Sequence, residues 1–242
     1  MRRTVIAAAA FTVSLASLTG CSSTPVTDPT PTPTQSVSAR VSSWSKSIVR
    51  ISSESSACGE MDYGTGFAVD DNLVVTNAHV VAGAQKITVA PYANSEKLDG
   101  QLRYFDPRND FAIIEVVNLN LPKLEISEDL QPNELVYAFG FNTKQQLQIE
   151  ESIMTKEVVW NAKDIYGEGK FDLILYELKA HIFPGNSGGP LLDRNGKIHG
   201  VVVGRSSNSE ELAFALTVKE LKDALKNAPF NLKVRNLRCV TN

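Results

Sequence analysis

Three short motifs set acid–base and nucleophilic side chains beside apolar, strand-like runs. The first is Pro184-Gly185-Asn186-Ser187-Gly188-Gly189-Pro190. A serine hydroxyl is a weak nucleophile until a base takes its proton. The oxyanion formed in acyl transfer also needs preorganised donors, usually backbone N–H groups. Glycines around a serine let the backbone bend until such N–H groups converge. The second motif is Thr76-Asn77-Ala78-His79-Val80-Val81. Imidazole is the side chain whose proton affinity suits a general base near neutral pH. The third is Asp106-Pro107-Arg108-Asn109-Asp110-Phe111-Ala112-Ile113-Ile114. A histidine base needs a group that fixes its tautomer and stabilises the imidazolium. Asp110 directly abuts the apolar strand and is favoured for that task, with Asp106 as its rival. Together the motifs point to acyl transfer by an activated serine. Of the remaining histidines, His199 falls inside a strand, where partial exposure is the expectation. His181 precedes Ser187 by six residues.

The elements that must position these groups are short. Short apolar runs, most of them rich in Val and Ile and bounded by Gly, Asn, Asp or Pro, predict strands over Ser47–Ile51, Gly64–Val69, Leu73–Thr76, Ile87–Ala90, Leu98–Tyr104 and Phe111–Val116. A second set spans Leu135–Phe139, Leu147–Lys156, Phe171–Leu178, Pro190–Leu192, His199–Val203 and Ala213–Leu216. Asp70-Asp71-Asn72 and Asp193-Arg194-Asn195-Gly196 read as hairpin turns. Val218, Leu221 and Leu225 lie on one face of a helix over Val218–Asn227, with Pro229 just beyond. About a dozen short strands and one terminal helix imply an all-β barrel or sandwich, not a βαβ fold.

The chain has 242 residues, of which 43% are apolar, enough to build a core and to exclude wholesale disorder. Its formal net charge of −3 and the lack of a Lys/Arg cluster beyond Arg2-Arg3 exclude the basic face that a nucleic-acid binder needs. Residues 1–20 read as a secretory signal: a basic start, then an apolar run of about 15 residues, too short to span a bilayer. The run ends in Leu18-Thr19-Gly20-Cys21, which resembles a bacterial lipobox. That resemblance makes Cys21 the lipidated mature terminus. Residues 21–40 are rich in Thr, Ser and Pro and read as a disordered, extended spacer. The folded part is expected over residues 41–242.

Taken in chain order, His79, Asp110 and Ser187, within TNAHVV, NDFAII and GNSGGPL, resemble the serine endopeptidases of the trypsin/chymotrypsin fold. GTGF at Gly64–Phe67 and ELAFALTVKEL at Glu211–Leu221 are similar to the bacterial branch that includes high-temperature-requirement proteases and membrane-anchored periplasmic proteases of actinobacteria. Subtilisin-like and α/β-hydrolase chain orders are excluded. The resemblance implies two six-stranded antiparallel β-barrels, about 41–132 and 133–217, followed by the helix 218–227. It implies Ser187 as nucleophile, His79 as general base then acid, and Asp110 as orienter. The N–H groups of Gly185 and Ser187 would form the oxyanion hole, while Asn142 receives no role. His181 would line the floor of the substrate pocket and Val203 and Arg205 one wall. A structural histidine and a solvated arginine are preferred there over a preference for acidic side chains.

The departures from the family also inform. Digestive members carry an Asp before the nucleophile that pairs with a newly cut terminus. Here Asn186 stands there, so no such activation is expected. Only about 15 residues follow the last helix, too few for a peptide-binding PDZ domain. The chain has three cysteines. With Cys21 lipidated, Cys58 and Cys239 remain in an oxidising compartment and are expected to form a disulfide, free thiols being the alternative. The expected function is a serine endopeptidase lipid-anchored on the outer face of a bacterial cell membrane. It would act on protein or peptide substrates and need no cofactor and no metal. The alternative is a non-catalytic or redox- or partner-regulated lipoprotein on the same fold.

Overall fold

The computed structural model describes residues 37–55, 60–227 and 238–240. Cys21, Cys58, the signal segment and most of the spacer therefore lie outside the described residues. Six strands form the first barrel: β1 (Ile48–Ser55), β2 (Glu60–Asp70), β3 (Leu73–Thr76), β4 (Lys86–Pro91), β5 (Leu98–Asp106) and β6 (Phe111–Val116). Six more form the second: β7 (Leu135–Phe141), β8 (Leu147–Ala162), β9 (Phe171–Lys179), β10 (Pro190–Leu192), β11 (Ile198–Arg205) and β12 (Leu212–Thr217). Both barrels close, in the neighbour orders β1-β2-β3-β6-β5-β4 and β7-β8-β9-β12-β11-β10, and every pair is antiparallel. The connection order is the same in each, so the molecule repeats one six-stranded design. Closing six short strands requires strong coiling, and register shifts at Ala68/Asp70, Leu102/Tyr104 and Val202/Gly204 supply local bends.

The alternating apolar positions fill three regions. Val49, Ile51, Val74, Val89 and Ile114 fill the first barrel. Val136, Met154, Tyr176, Leu191 and Val202 fill the second. Ile48, Phe67, Phe111 and Ile113 meet Phe139, Phe141 and Leu192 between them. This shared apolar layer fixes the joint on which the three motifs converge.

Two helices flank the barrels. The last, α3 (Val218–Asn227), buries Val218, Leu221 and Ala224. The first, α1 (Val37–Ser45), has no counterpart in the sequence expectation and takes up the last four residues of the span read as spacer. Its own amphipathic pattern is weak. Trp44 supplies the reason for it, lying against Tyr137 and Phe139 with ring centroids 6.0 and 6.4 Å away. The indole also covers Gly196, whose turn approaches so closely that a Cβ there would sit 2.1 Å from it. Tertiary packing, not local propensity, holds this helix.

Candidate active site

The short helix α2 (Ala78–Val81) follows β3 directly and carries His79. The turn between β5 and β6 carries Asp110, which adopts φ 55°, a left-handed conformation that Asp tolerates better than most residues. That conformation is held from outside the turn. The Asp110 carbonyl accepts from Ala78 N–H at 3.1 Å and from Asn77 Nδ2 at 2.9 Å. The carboxylate then faces α2. Its Oδ1 accepts the His79 backbone N–H at 2.9 Å, and its Oδ2 lies 2.7 Å from His79 Nδ1. Of the two candidates in this turn, Asp110 meets the imidazole. Asp106 instead holds the turn, accepting the N–H groups of Arg108 and Asn109 at 2.9 and 3.1 Å.

The environment of His79 pulls its proton affinity in two directions. Burial alone lowers it. The charge of Asp110 and its hydrogen bond, with a smaller attraction from Asp62, outweigh burial and leave His79 above its ordinary value. Its side chain remains about one-third exposed, so the ring is still reachable from solvent.

Ser187 lies across the joint, in the loop between β9 and β10. Phe183-Pro184-Gly185-Asn186 makes a tight turn closed by Asn186 N–H to the Phe183 carbonyl at 3.0 Å. Gly185 sits at φ 96° and Gly188 at φ 84°, both in the region that favours glycine. Gly188 has a second reason to be glycine: a Cβ there would lie 2.2 Å from the Thr65 carbonyl. Asn186 is buried and both ends of its amide are used. Oδ1 accepts from Phe183 N–H at 2.8 Å and Nδ2 donates to the Phe141 carbonyl at 3.1 Å. No acceptor among the described residues meets the N–H of Gly185 or of Ser187. Two free, adjacent N–H groups beside a hydroxyl are what a developing oxyanion needs.

The Ser187 hydroxyl donates to the Val203 carbonyl at 2.8 Å, not to His79. Val203 lies where the β11–β12 register shifts, so its carbonyl is released from regular pairing. The remaining pocket candidates do not converge. His181 is exposed and lines a groove with Glu150, Lys179 and Glu211. Arg205 lines a different groove with Ser206–Glu210 and meets Glu210 at 3.3 Å. Asn142 folds its own loop, accepting N–H groups from Lys144 and Gln146 at 2.9 and 3.1 Å. His199 departs from the expected partial exposure. It is buried, both ring nitrogens lack hydrogen-bond partners, and Asp193 lies 3.7 Å away. Ile198 beside it bridges to Ile126, which draws this end of β11 under the inter-barrel connection.

Two repeated barrels with a histidine–carboxylate pair on one and a glycine-flanked serine on the other are the architecture of the trypsin-like peptidase domain. The chain belongs to the trypsin-like peptidase domain family, whose model matches residues 64–201. It is 31% identical over 203 residues to serine protease Rv3671c of Mycobacterium tuberculosis, covering 83% of this chain and 51% of that protein. It is 35% identical over 161 residues to a protein of Pseudomonas putida named as a probable periplasmic DegP-like serine endoprotease, covering 64% of this chain and 32% of that one. The chain thus spans about half the length of the first relative and a third of the second. The fold superposes on the active form of the Rv3671c protease with a TM-score of 0.81 at 30% identity, over 93% of this chain and all of that one. Against the inactive form the TM-score is 0.70, over 79% of this chain and 93% of that one.

Proposed function

We propose that this protein is a serine endopeptidase acting through an acyl-enzyme. The single observation that carries the reading is a His79–Asp110 pair on one barrel and, on the other, a serine whose own N–H and that of Gly185 have no acceptor among the described residues. Ser187 turns from Val203 toward His79, which takes its proton as the oxygen attacks the scissile carbonyl. The carbonyl oxygen gains negative charge and accepts from Gly185 and Ser187 N–H. Asp110 keeps the Nδ1 proton in place and offsets the imidazolium charge. His79 then protonates the leaving amine and the acyl ester forms. Water, deprotonated by the same histidine, restores Ser187 and releases the acid. The expected result is cleavage of a mixed peptide library by the wild type, lost in Ser187→Ala. Equal cleavage by that variant would refute the assignment.

The finer reading is a lipoprotein of the cell envelope. The lipobox-like Leu18–Cys21 supports an anchor at Cys21, and the name of the periplasmic relative fits an exported domain. Cys21→Ser is expected to leave the membrane fraction, and retention there would contradict an anchor at that residue. Cys239 is disulfide-bonded, which supports its pairing with Cys58 once Cys21 carries lipid.

A further inference from the structure

We infer that Thr65 is the positioning residue of the oxyanion turn, a role that rests on the peptidase reading above. Thr65 is in β2 of the first barrel and fully buried. The turn it would govern belongs to the second barrel.

Each of its polar atoms is engaged at the joint. The hydroxyl donates to the Gly185 carbonyl at 2.6 Å and accepts the Phe141 N–H at 2.8 Å. Its backbone N–H donates to the Ser187 carbonyl at 2.9 Å. Its own carbonyl accepts the Thr76 hydroxyl at 2.7 Å. One residue thus holds the carbonyls of both residues whose N–H groups have no acceptor among the described residues. It also holds the end of β7, where Phe141 receives the Asn186 amide. Through Thr76 it ties this network to the segment that leads into Asn77 and His79.

The physical consequence concerns one dihedral in particular. Gly185 lacks a Cβ, so its own sterics leave several backbone conformations open. Fixing its carbonyl fixes the Gly185–Asn186 peptide plane, and with Asn186 N–H closing the turn onto Phe183 this restrains the Gly185 backbone on which the direction of its own N–H depends. Without the hydroxyl, the part-buried Gly185 carbonyl and the buried Phe141 N–H lose their partner together. Unpaired buried groups are strongly disfavoured, so the turn would rotate to find other partners. The donor pair would then be lost without any change in His79, Asp110 or Ser187. Serine keeps the hydroxyl and valine keeps the shape without it.

The test uses the full chain as wild type, Thr65→Ser and Thr65→Val, with Thr65→Ala replacing the valine variant if that does not fold. Active sites are counted by titration so that turnover refers to competent molecules. Removing an oxyanion donor outright costs on the order of 100-fold or more in kcat. Thr65→Val is expected to lose about 10- to 100-fold in kcat with KM changed by less than about threefold. Its affinity for a peptidyl trifluoromethyl ketone, which forms the tetrahedral oxyanion, should fall in parallel. Thr65→Ser should recover to within about threefold of wild type. A valine variant with a lowered melting temperature but wild-type kcat and inhibitor affinity would overturn the inference while leaving the peptidase reading intact. A wild type that neither cleaves peptides nor reacts at Ser187 would remove both.

Discussion

His79 and Asp110 are joined twice: the carboxylate accepts the backbone N–H of His79 with one oxygen and meets its ring Nδ1 with the other. The first contact fixes the carboxylate plane, and the second uses it. Asp110→Asn retains an oxygen for the backbone N–H but turns an NH2 toward the ring. The imidazole must then present an acceptor at Nδ1 and its proton at Nε2, the wrong way round for taking one from Ser187. A loss of about 10⁴-fold in kcat is expected, with the fold intact by circular dichroism. A loss below about tenfold would show that Asp110 is not the orienter.

The same pairing sets the pH dependence. In the proposed mechanism His79 must be neutral to act as base, and Asp110 raises its proton affinity above the ordinary value of 6.5 despite burial. The acidic limb of kcat/KM is therefore expected above 6.5, and it should follow the imidazole titration measured by NMR. The sign for stability is opposite. A histidine raised in the folded state contributes stability below its unfolded value, and that contribution is lost as pH rises through the folded value. An acidic limb below 6.5 would mean that burial wins over the carboxylate.

Much of this was legible in the sequence, and the reason is local. Each of the twelve expected strands overlaps an observed one, because Val- and Ile-rich runs and their Gly, Asn, Asp or Pro boundaries are written within a few residues. The terminal helix over Val218–Asn227 matches as well. The motifs around His79, Asp110 and Ser187 carry their own turn chemistry. What escaped depends on distant partners. Helix α1 exists because Trp44 finds Tyr137 and Phe139 across the molecule. Strand β8 runs to Ala162, beyond the expected Lys156, because β9 pairs along its whole length. Thr65 looked like one residue of a strand; its hydroxyl acquires meaning only when Gly185, 120 residues away, is brought against it.

The tail offers a separate test. Cys239 is disulfide-bonded, and next to it Arg238 stacks on Tyr166 at 4.2 Å and pairs with Glu168. That segment in turn touches the Asp110 turn, where Ile165 N–H donates to the Pro107 carbonyl at 3.0 Å. Loss of the bridge is expected to free the tail from this contact. Cys239→Ser is expected to cost about 2–5 kcal/mol in urea unfolding, and dithiothreitol should lower the melting temperature of the wild type. Two titratable thiols in the native, unreduced protein would rule out the pairing of Cys58 with Cys239.

The central claim is that Ser187 is a nucleophile activated by its setting. An ordinary serine does not react with a fluorophosphonate, whereas one with a base and an oxyanion hole does. The most direct measurement is intact-mass analysis of the purified protein after such treatment, with the adduct mapped by peptide sequencing. The account predicts one adduct per chain, on Ser187, abolished in Ser187→Ala and slowed in Asp110→Asn. A wild type that stays unmodified at neutral to mildly alkaline pH, or an adduct that persists in Ser187→Ala, would contradict it.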